Sequence, residues 1–166
     1  AKFMWPHMFS ALGDEYDRRF GLKNEHLGRI AEINLGNAKH NPNSQTRSWE
    51  FTAASFSEDD EANPVIEGRI RRQDCGQITD GACAVILASR RYAEDYCRKR
   101  NVPQGKLSRV LGWGHRNNSL RLLEKLERSR DELLVVPTVS QTIQDAWRRA
   151  GISSHAQLDG IETHDC

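Results

Sequence analysis

Three side chains near the C-terminus have types and spacing that could do chemistry. Glu162, His164 and Cys166 alternate with other residues along the stretch Leu158–Cys166. In an extended segment successive side chains point to opposite faces, so these three would share one face, with neighbouring α-carbons roughly 6.5–7 Å apart. An imidazole and a thiol at that spacing could touch one substrate group and serve acid–base or nucleophilic chemistry. The same residues alone fit equally well a strand that happens to end in polar side chains.

A second stretch predicts the framework that would position such a site. Residues Ala82–Ser89 are of strand length, apolar on both faces and preceded by Asp80-Gly81. This pattern is typical of a strand buried on both sides and therefore of a layered α/β protein. Ser89 is expected to cap a following helix that runs to about Arg100.

Further helices and strands are predicted from periodicity. Met8, Leu12, Tyr16 and Phe20 mark one face of a first helix, which Gly21 should end. The remaining predictions are a helix from Asn24 to His40, a surface excursion over residues 43–68, a strand at Leu107–Trp113, a leucine-rich helical stretch within 115–136, a helix at Thr138–Ala150 ended by Gly151, and a final strand at Leu158–Cys166. Together the last elements would form a βαβ-like unit.

Composition bounds the class of protein. The chain has 166 residues, enough for one domain or parts of two, with 37% hydrophobic and 28% charged residues. A net charge of +1 gives no reason to expect nucleic acid or an anionic membrane as partner. No apolar run approaches the roughly 20 residues that span a bilayer. Four irregularly spaced cysteines favour reduced thiols over a zinc site or a disulfide framework.

Three motifs resemble the thiolase superfamily in its sterol-carrier-protein and acetyl-CoA acetyltransferase branch, and they occur in family order. They are the opening His7-Met8 with its helix ending in Phe-Gly-Leu, the stretch Thr79–Ser89, and the final Thr-His-Asp-Cys. The resemblance implies a layered αβαβα fold in the full protein, of which this α/β chain is a partial segment. Residues 1–106 would end the N-terminal half, including its helical loop domain, and 107–166 would begin the C-terminal half. The missing initiator Met and the end at Cys166 agree with an expected internal fragment.

The resemblance also implies an activity and its residues. The full protein would be an acyl-CoA C-acyltransferase, with His164 as an oxyanion-hole donor and Cys166 as the acid/base. His7 and Met8 would approach the acyl-pantetheine arm, and the loop Cys75-Gly76-Gln77 would border the coenzyme A cleft. Coenzyme A would be a substrate, with no other cofactor and no metal. The full protein would be a cytoplasmic homodimer or homotetramer, or peroxisomal in a eukaryote, with a small acyl-CoA-binding protein as a further partner.

Two family residues have no counterpart in this chain. The nucleophilic cysteine lies upstream in the family, and neither Cys75, Cys83 nor Cys97 matches it. The second catalytic histidine lies downstream, and His115 does not match its Gly-His-Pro loop. We therefore expect the isolated segment to be inactive.

Two alternative functions stay open from the sequence. One is a non-catalytic thiolase-like subunit that partners an acyl-CoA-binding or lipid-transfer protein. The other is a metal-binding module of His164, Asp165 and Cys166, which is disfavoured because Asp165 would face away from the other two on a strand.

Overall fold

The computed structural model describes residues 1–164, so Asp165 and the predicted catalytic Cys166 lie outside the described residues. Within that range the protein is a mixed α/β chain with five α-helices and one two-stranded antiparallel sheet. The elements are α1 Met4–Phe20, α2 Asn24–His40, β1 Val65–Glu67, β2 Ile70–Arg71, α3 Arg90–Arg100, α4 Leu122–Arg128 and α5 Pro137–Ala150. None of these helices is long and apolar enough to cross a membrane.

The helices predicted from periodicity are confirmed, and their ends follow the expected capping chemistry. α1 ends before Gly21, whose φ of +73° suits a residue without a side chain. α2 has the predicted bounds. At the start of α3 the Ser89 hydroxyl accepts a hydrogen bond from the Tyr92 backbone N–H. α5 begins one residue before the predicted Thr138 and ends before Gly151 at φ +72°.

The predicted buried strand at Ala82–Ser89 is wrong for this structure. These residues have no regular secondary structure and are exposed, Ile86 to 91%. A strand requires a neighbour for its backbone N–H and C=O groups, and none of the described residues pairs with this stretch. The apolar pattern shows that both faces of this stretch could be buried, but it does not provide the neighbouring strand that would pair with its backbone.

The other two predicted strands are absent for the same reason. Residues 107–113 and 158–164 contain no strand, and the βαβ-like unit is present only as its helix α5. The leucine-rich stretch within 115–136 forms only the short helix α4. In contrast, the excursion at 43–68 ends in a hairpin that periodicity did not predict, because β1 and β2 are three and two residues long.

The described chain divides into two compact units, each built from separate stretches of sequence. The first comprises Ala1–Gln77, Asn118–Pro137 and 162–164, and it contains α1, α2, α4 and the hairpin. The second comprises Ile78–Asn117 and Thr138–Ile161, with α3 and nearly all of α5. The predicted division at residue 106 concerns halves of a longer protein, and it stays a prediction.

In the first unit an arginine anchors α1 to the turn after α4. The guanidinium of Arg19 is 6% exposed and lies 2.6 Å from the Glu15 carboxylate. It also donates to the Ser129 hydroxyl and to the Glu132 carbonyl oxygen, at 3.4 and 3.2 Å. Buried Ser129 in turn donates to the Val135 carbonyl oxygen at 2.7 Å. Hydrogen bonds to a charged donor thus join α1 to this turn.

In the second unit the segment at residues 112–116, which has no regular secondary structure, lies against α5. A methyl group added at Gly112 would overlap the Ala146 carbonyl oxygen, and one at Gly114 would overlap that of Thr142. Next to them Arg116 pairs with the buried carboxylate of Asp145 at 2.6 Å. The Arg149 guanidinium lies 4.9 Å from the Trp113 ring centroid, within the range of a cation–π contact.

Replacing Gly28 by alanine should destabilise the protein by about 1–3 kcal/mol, although alanine favours helices by about 1 kcal/mol. Gly28 is buried in α2, and an added methyl group would overlap the Phe56 carbonyl oxygen. Gly36→Ala in the same helix is the matched control, because nothing lies within 4 Å of its added methyl group. Urea unfolding of the two variants should therefore give shifts of opposite sign. Equal effects would show that α2 does not pack closely on Phe56.

Replacing Glu15 by glutamine should flatten the acid dependence of stability. Hydrogen bonds from Arg18 and then Arg19 lower the pKa of Glu15 from 4.5 to about 2. A lowered folded-state pKa contributes stability that is complete above about pH 4.5 and lost as the pH falls toward 2. Urea midpoints measured at several pH values should show the variant less stable at neutral pH and converging with the wild type in acid. A difference that does not vary with pH would contradict this assignment.

Candidate functional site

The predicted site residues His7 and Met8 lie in the first turns of α1, where the hairpin supplies the helix cap. Phe3, at the N-cap, gives no side-chain hydrogen bond. Instead the Glu67 carboxylate accepts from the backbone N–H groups of Lys2 at 3.0 Å and Phe3 at 3.5 Å. Its other oxygen lies 3.8 Å from Nδ1 of His7. A carboxylate at this helix end also complements the helix dipole.

The tip of the hairpin holds the next turns of α1. The Ser10 hydroxyl, on a residue only 5% exposed, accepts from the Arg69 backbone N–H at 3.0 Å. The Arg69 guanidinium donates to Asp14 at 2.8 Å and to Asp17 at 3.0 Å. Gly68 has a φ of +55°, and an added methyl group would overlap the Ser10 hydroxyl. We call residues 67–69 together with these α1 contacts the hairpin clamp.

In the hairpin clamp, the pKa values of Glu67, Asp17 and Arg69 are shifted so that each group favours its charged form. The Lys2 N–H lowers the pKa of Glu67 against an opposing effect of burial, with further help from Phe3. The Leu22 backbone N–H and then Arg69 lower the pKa of Asp17. Hydrogen bonds to Asp17 and Asp14 raise the pKa of Arg69. These charges therefore persist at neutral pH and keep the helix and hairpin together.

The predicted coenzyme A loop follows the hairpin. Cys75 comes directly after a 3-10 turn at Arg72–Asp74, and its thiol donates to the Arg71 carbonyl oxygen at 3.5 Å. Burial, and then the Asp74 carboxylate, raise the pKa of the Cys75 thiol. This thiol is therefore a poor nucleophile. Gly76 and Gln77 are exposed.

A cleft of about 420 Å³ lies beside this loop in the first unit. Its walls are α2, the turn around Phe56 and the hairpin. Its charged lining residues are Glu25, Arg29, Glu32, Glu58, Arg69, Arg71 and Asp74. Burial raises the pKa of Asp74 despite the N–H of Arg71 that it accepts. The cleft ends at the residue before Cys75, but none of the predicted site residues lines it.

The C-terminal part of the predicted site is described only as far as His164. Glu162 and His164 are exposed and lie in no regular element, and Cys166 lies outside the described residues. His164 belongs to the same unit as His7, Met8 and the 75–77 loop. Among residues 1–164 no described hydrogen bond or ion pair links His164 to those residues. The roles of all seven residues therefore stay predictions.

Sequence reasoning missed the hairpin clamp beside His7. Glu67 lies in the stretch that we interpreted as a surface excursion, Ser10 in a plain helix, and Arg69 directly after the predicted excursion. A signal is present in Val-Ile-Glu-Gly-Arg-Ile at 65–70, where β-branched residues lie on both sides of a glycine that can form a tight turn. Within residues 1–164 no group of three or more His, Cys, Asp and Glu side chains could hold a metal ion. The alternative metal site at 164–166 falls partly outside this range.

Comparison with known proteins gives distant relatives over nearly the whole chain. Sterol carrier protein 2 of Oryctolagus cuniculus is 27% identical over 166 residues, covering 97% of this chain and 27% of that protein. The Homo sapiens protein of the same name is 25% identical with the same coverage. An acetyl-CoA acetyltransferase of Methanothermobacter thermautotrophicus is 24% identical over 162 residues, covering 98% of this chain and 38% of that protein.

The chain thus spans between about a quarter and two fifths of the length of these curated relatives. No family model matches the chain, and no solved structure matches it significantly. The names of the relatives agree with the branch indicated by the three motifs. The chain is therefore similar to proteins named sterol carrier protein 2 and acetyl-CoA acetyltransferase, and the resemblance stated from its motifs is confirmed at that level.

Proposed function

We propose that this chain is a segment of an acyl-CoA C-acyltransferase of the thiolase type, which cleaves or forms 3-oxoacyl-CoA. The observation that carries the proposal is the order of three motifs, at 7–8, 79–89 and 163–166, in a chain that relatives match over 97–98% of its length. One of those relatives is named an acetyl-CoA acetyltransferase. The full protein would have the layered αβαβα fold.

The proposed thiolysis uses two thiols and an oxyanion site. An upstream cysteine thiolate attacks the 3-oxo carbon of 3-oxoacyl-CoA and keeps the acyl group as a thioester. The released acetyl-CoA carbanion takes a proton from Cys166, and His164 donates a hydrogen bond to its thioester oxygen. The Cys166 thiolate then takes the proton of an incoming coenzyme A, whose sulfur accepts the acyl group. Both steps balance without a cofactor.

The hairpin clamp supports a ligand-binding role for the first unit. It fixes the start of α1 by a carboxylate cap, a buried hydroxyl and a two-carboxylate arginine contact. A site on a restrained element loses little conformational entropy when it binds a flexible arm. We assign His7 and Met8 to the acyl-pantetheine arm, and Cys75, Gly76 and Gln77 to the edge of the coenzyme A cleft.

The exposed apolar stretch at 78–88 supports the layered architecture of the full protein. Ile78, Val85, Ile86 and Leu87 are 77–98% exposed. Backbone and side chains of this kind are stable in water only when further strands cover them. We propose that the full protein provides those strands and assembles as a homodimer or homotetramer. We place it in the cytoplasm, or in the peroxisome of a eukaryote.

A second candidate is a thiolase-like subunit without acyl transfer. It is favoured by the names of other relatives, which include a non-specific lipid-transfer protein-like 2 of Caenorhabditis elegans, 24% identical over 168 residues. Such a subunit would bind acyl-CoA and pass it to a small acyl-CoA-binding partner. Measuring thiolysis by the full-length protein distinguishes the two candidates, because only the acyltransferase requires the upstream nucleophilic cysteine.

In the full-length protein, Cys166→Ser should lower kcat for thiolysis of acetoacetyl-CoA by about 10²- to 10⁴-fold, since a positioned proton-transfer group is lost. His164→Ala should lower it by about 10²- to 10³-fold through loss of an oxyanion donor. His40→Ala and His155→Ala are the control substitutions, at exposed positions outside the His-Asp-Cys motif, and they should keep normal turnover. Steady-state kinetics of the four variants provide the measurement.

The 166-residue chain alone should show no thiolysis in the same assay. If it turned over substrate, the proposed upstream nucleophile would be wrong. If the full-length protein bound acetoacetyl-CoA without turnover, the non-catalytic subunit would be the correct assignment.

A further inference from the structure

Glu67, which joins β1 to the first turns of α1, has no assigned role in the proposed function. Glu67 is 21% exposed in its side chain, whereas the His7 side chain beside it is 60% exposed. One carboxylate oxygen accepts the backbone N–H groups of Lys2 and Phe3, and the other lies 3.8 Å from Nδ1 of His7. The carboxylate is therefore held by backbone while it faces an imidazole that solvent and ligands can reach.

We propose that Glu67 is a positioning residue that orients the His7 imidazole for the amide groups of a pantetheine arm. This inference rests on the proposed function, because the ligand is the arm of coenzyme A. Glu67 contacts no ligand itself, and it acts on the ligand only through His7.

The physical basis is the tautomer of the imidazole. A carboxylate on the Nδ1 side favours the proton at Nδ1, because an N–H there is attracted to the negative charge. In the neutral ring Nε2 then carries the lone pair and accepts a hydrogen bond. A pantetheine arm carries amide N–H groups, which are suitable donors for that nitrogen. Without the carboxylate the ring would divide between tautomers and orientations, and each binding event would have to select one.

The hairpin clamp holds the Glu67 carboxylate in place beside the His7 ring. Glu67 and Arg69 belong to the same hairpin, and Arg69 is held by Asp14 and Asp17, about two and three turns after His7 in α1. The carboxylate of Glu67 therefore keeps its place relative to the helix that carries His7. The pKa of Glu67 is lowered chiefly by the Lys2 N–H, so the group is charged at neutral pH.

The test is a double-mutant cycle on the full-length protein, with coenzyme A binding measured by calorimetry. Glu67→Gln keeps an oxygen for the Lys2 and Phe3 N–H groups but removes the charge, so the helix cap survives. We expect Glu67→Gln and His7→Ala each to weaken coenzyme A binding by about threefold to tenfold, the range of one partly exposed charged contact. Glu67→Gln in the His7→Ala background should have no further effect, because Glu67 acts only through His7.

Two further measurements distinguish positioning from loss of structure. Adenosine 3′,5′-bisphosphate, which lacks the pantetheine arm, should bind the wild type and Glu67→Gln equally. Glu50→Gln is the matched charge control, because Glu50 is 91% exposed and contacts Lys39, and it should leave coenzyme A affinity unchanged. Additive effects in the cycle, or equal weakening of both ligands, would overturn the role of Glu67. Absence of coenzyme A binding by the wild type would instead overturn the proposed function, and this inference with it.

Discussion

The contact between the hairpin tip and α1 is the constraint on which the first unit depends. The Arg69 backbone N–H donates to the buried Ser10 hydroxyl, and its guanidinium donates to the carboxylates of Asp14 and Asp17. The contacts of this one residue therefore extend from position 10 to position 17 of the helix. Few hydrophobic residues are buried in the described chain: Ala31, Cys97 and Val135. With so little apolar burial, charge-assisted hydrogen bonds carry an unusual share of the tertiary organisation. The same is true of Arg19 at the turn after α4.

This constraint connects the fold to the proposed chemistry. His7 lies in a helix whose N-cap residue, Phe3, gives no side-chain hydrogen bond. The hairpin instead binds the backbone N–H groups of Lys2 and Phe3, directly before the helix, with the same carboxylate that faces the imidazole. Stability of the helix start and orientation of the ring are therefore not independent. A substitution chosen to change one must preserve the oxygen that supports the other, as glutamine does at position 67.

Local signals were sufficient for the helices and insufficient for the strands. α1 and α5 could be predicted because their periodicity and the glycines that end them, Gly21 and Gly151, lie within or directly beside the helix sequence, and α3 because Ser89 caps its start. A strand depends on a partner that its own sequence does not contain, and Ala82–Ser89 shows the consequence. The residues of the candidate site also differ in whether local sequence could predict them. The motifs around His7 and His164 were recognisable from sequence, whereas Glu67 and Arg69 act across 55 to 65 residues and required coordinates.

The glycines at 112 and 114 have a consequence for how the second unit can assemble. Thr142 and Ala146 are four residues apart, about one turn or 6 Å along a helix. The two glycines therefore meet carbonyl oxygens on successive turns of α5. A slip of one residue would bring the indole of Trp113 to a position where only a hydrogen atom fits. The register of this segment is thus set by steric exclusion, without the ladder of hydrogen bonds that a sheet would supply.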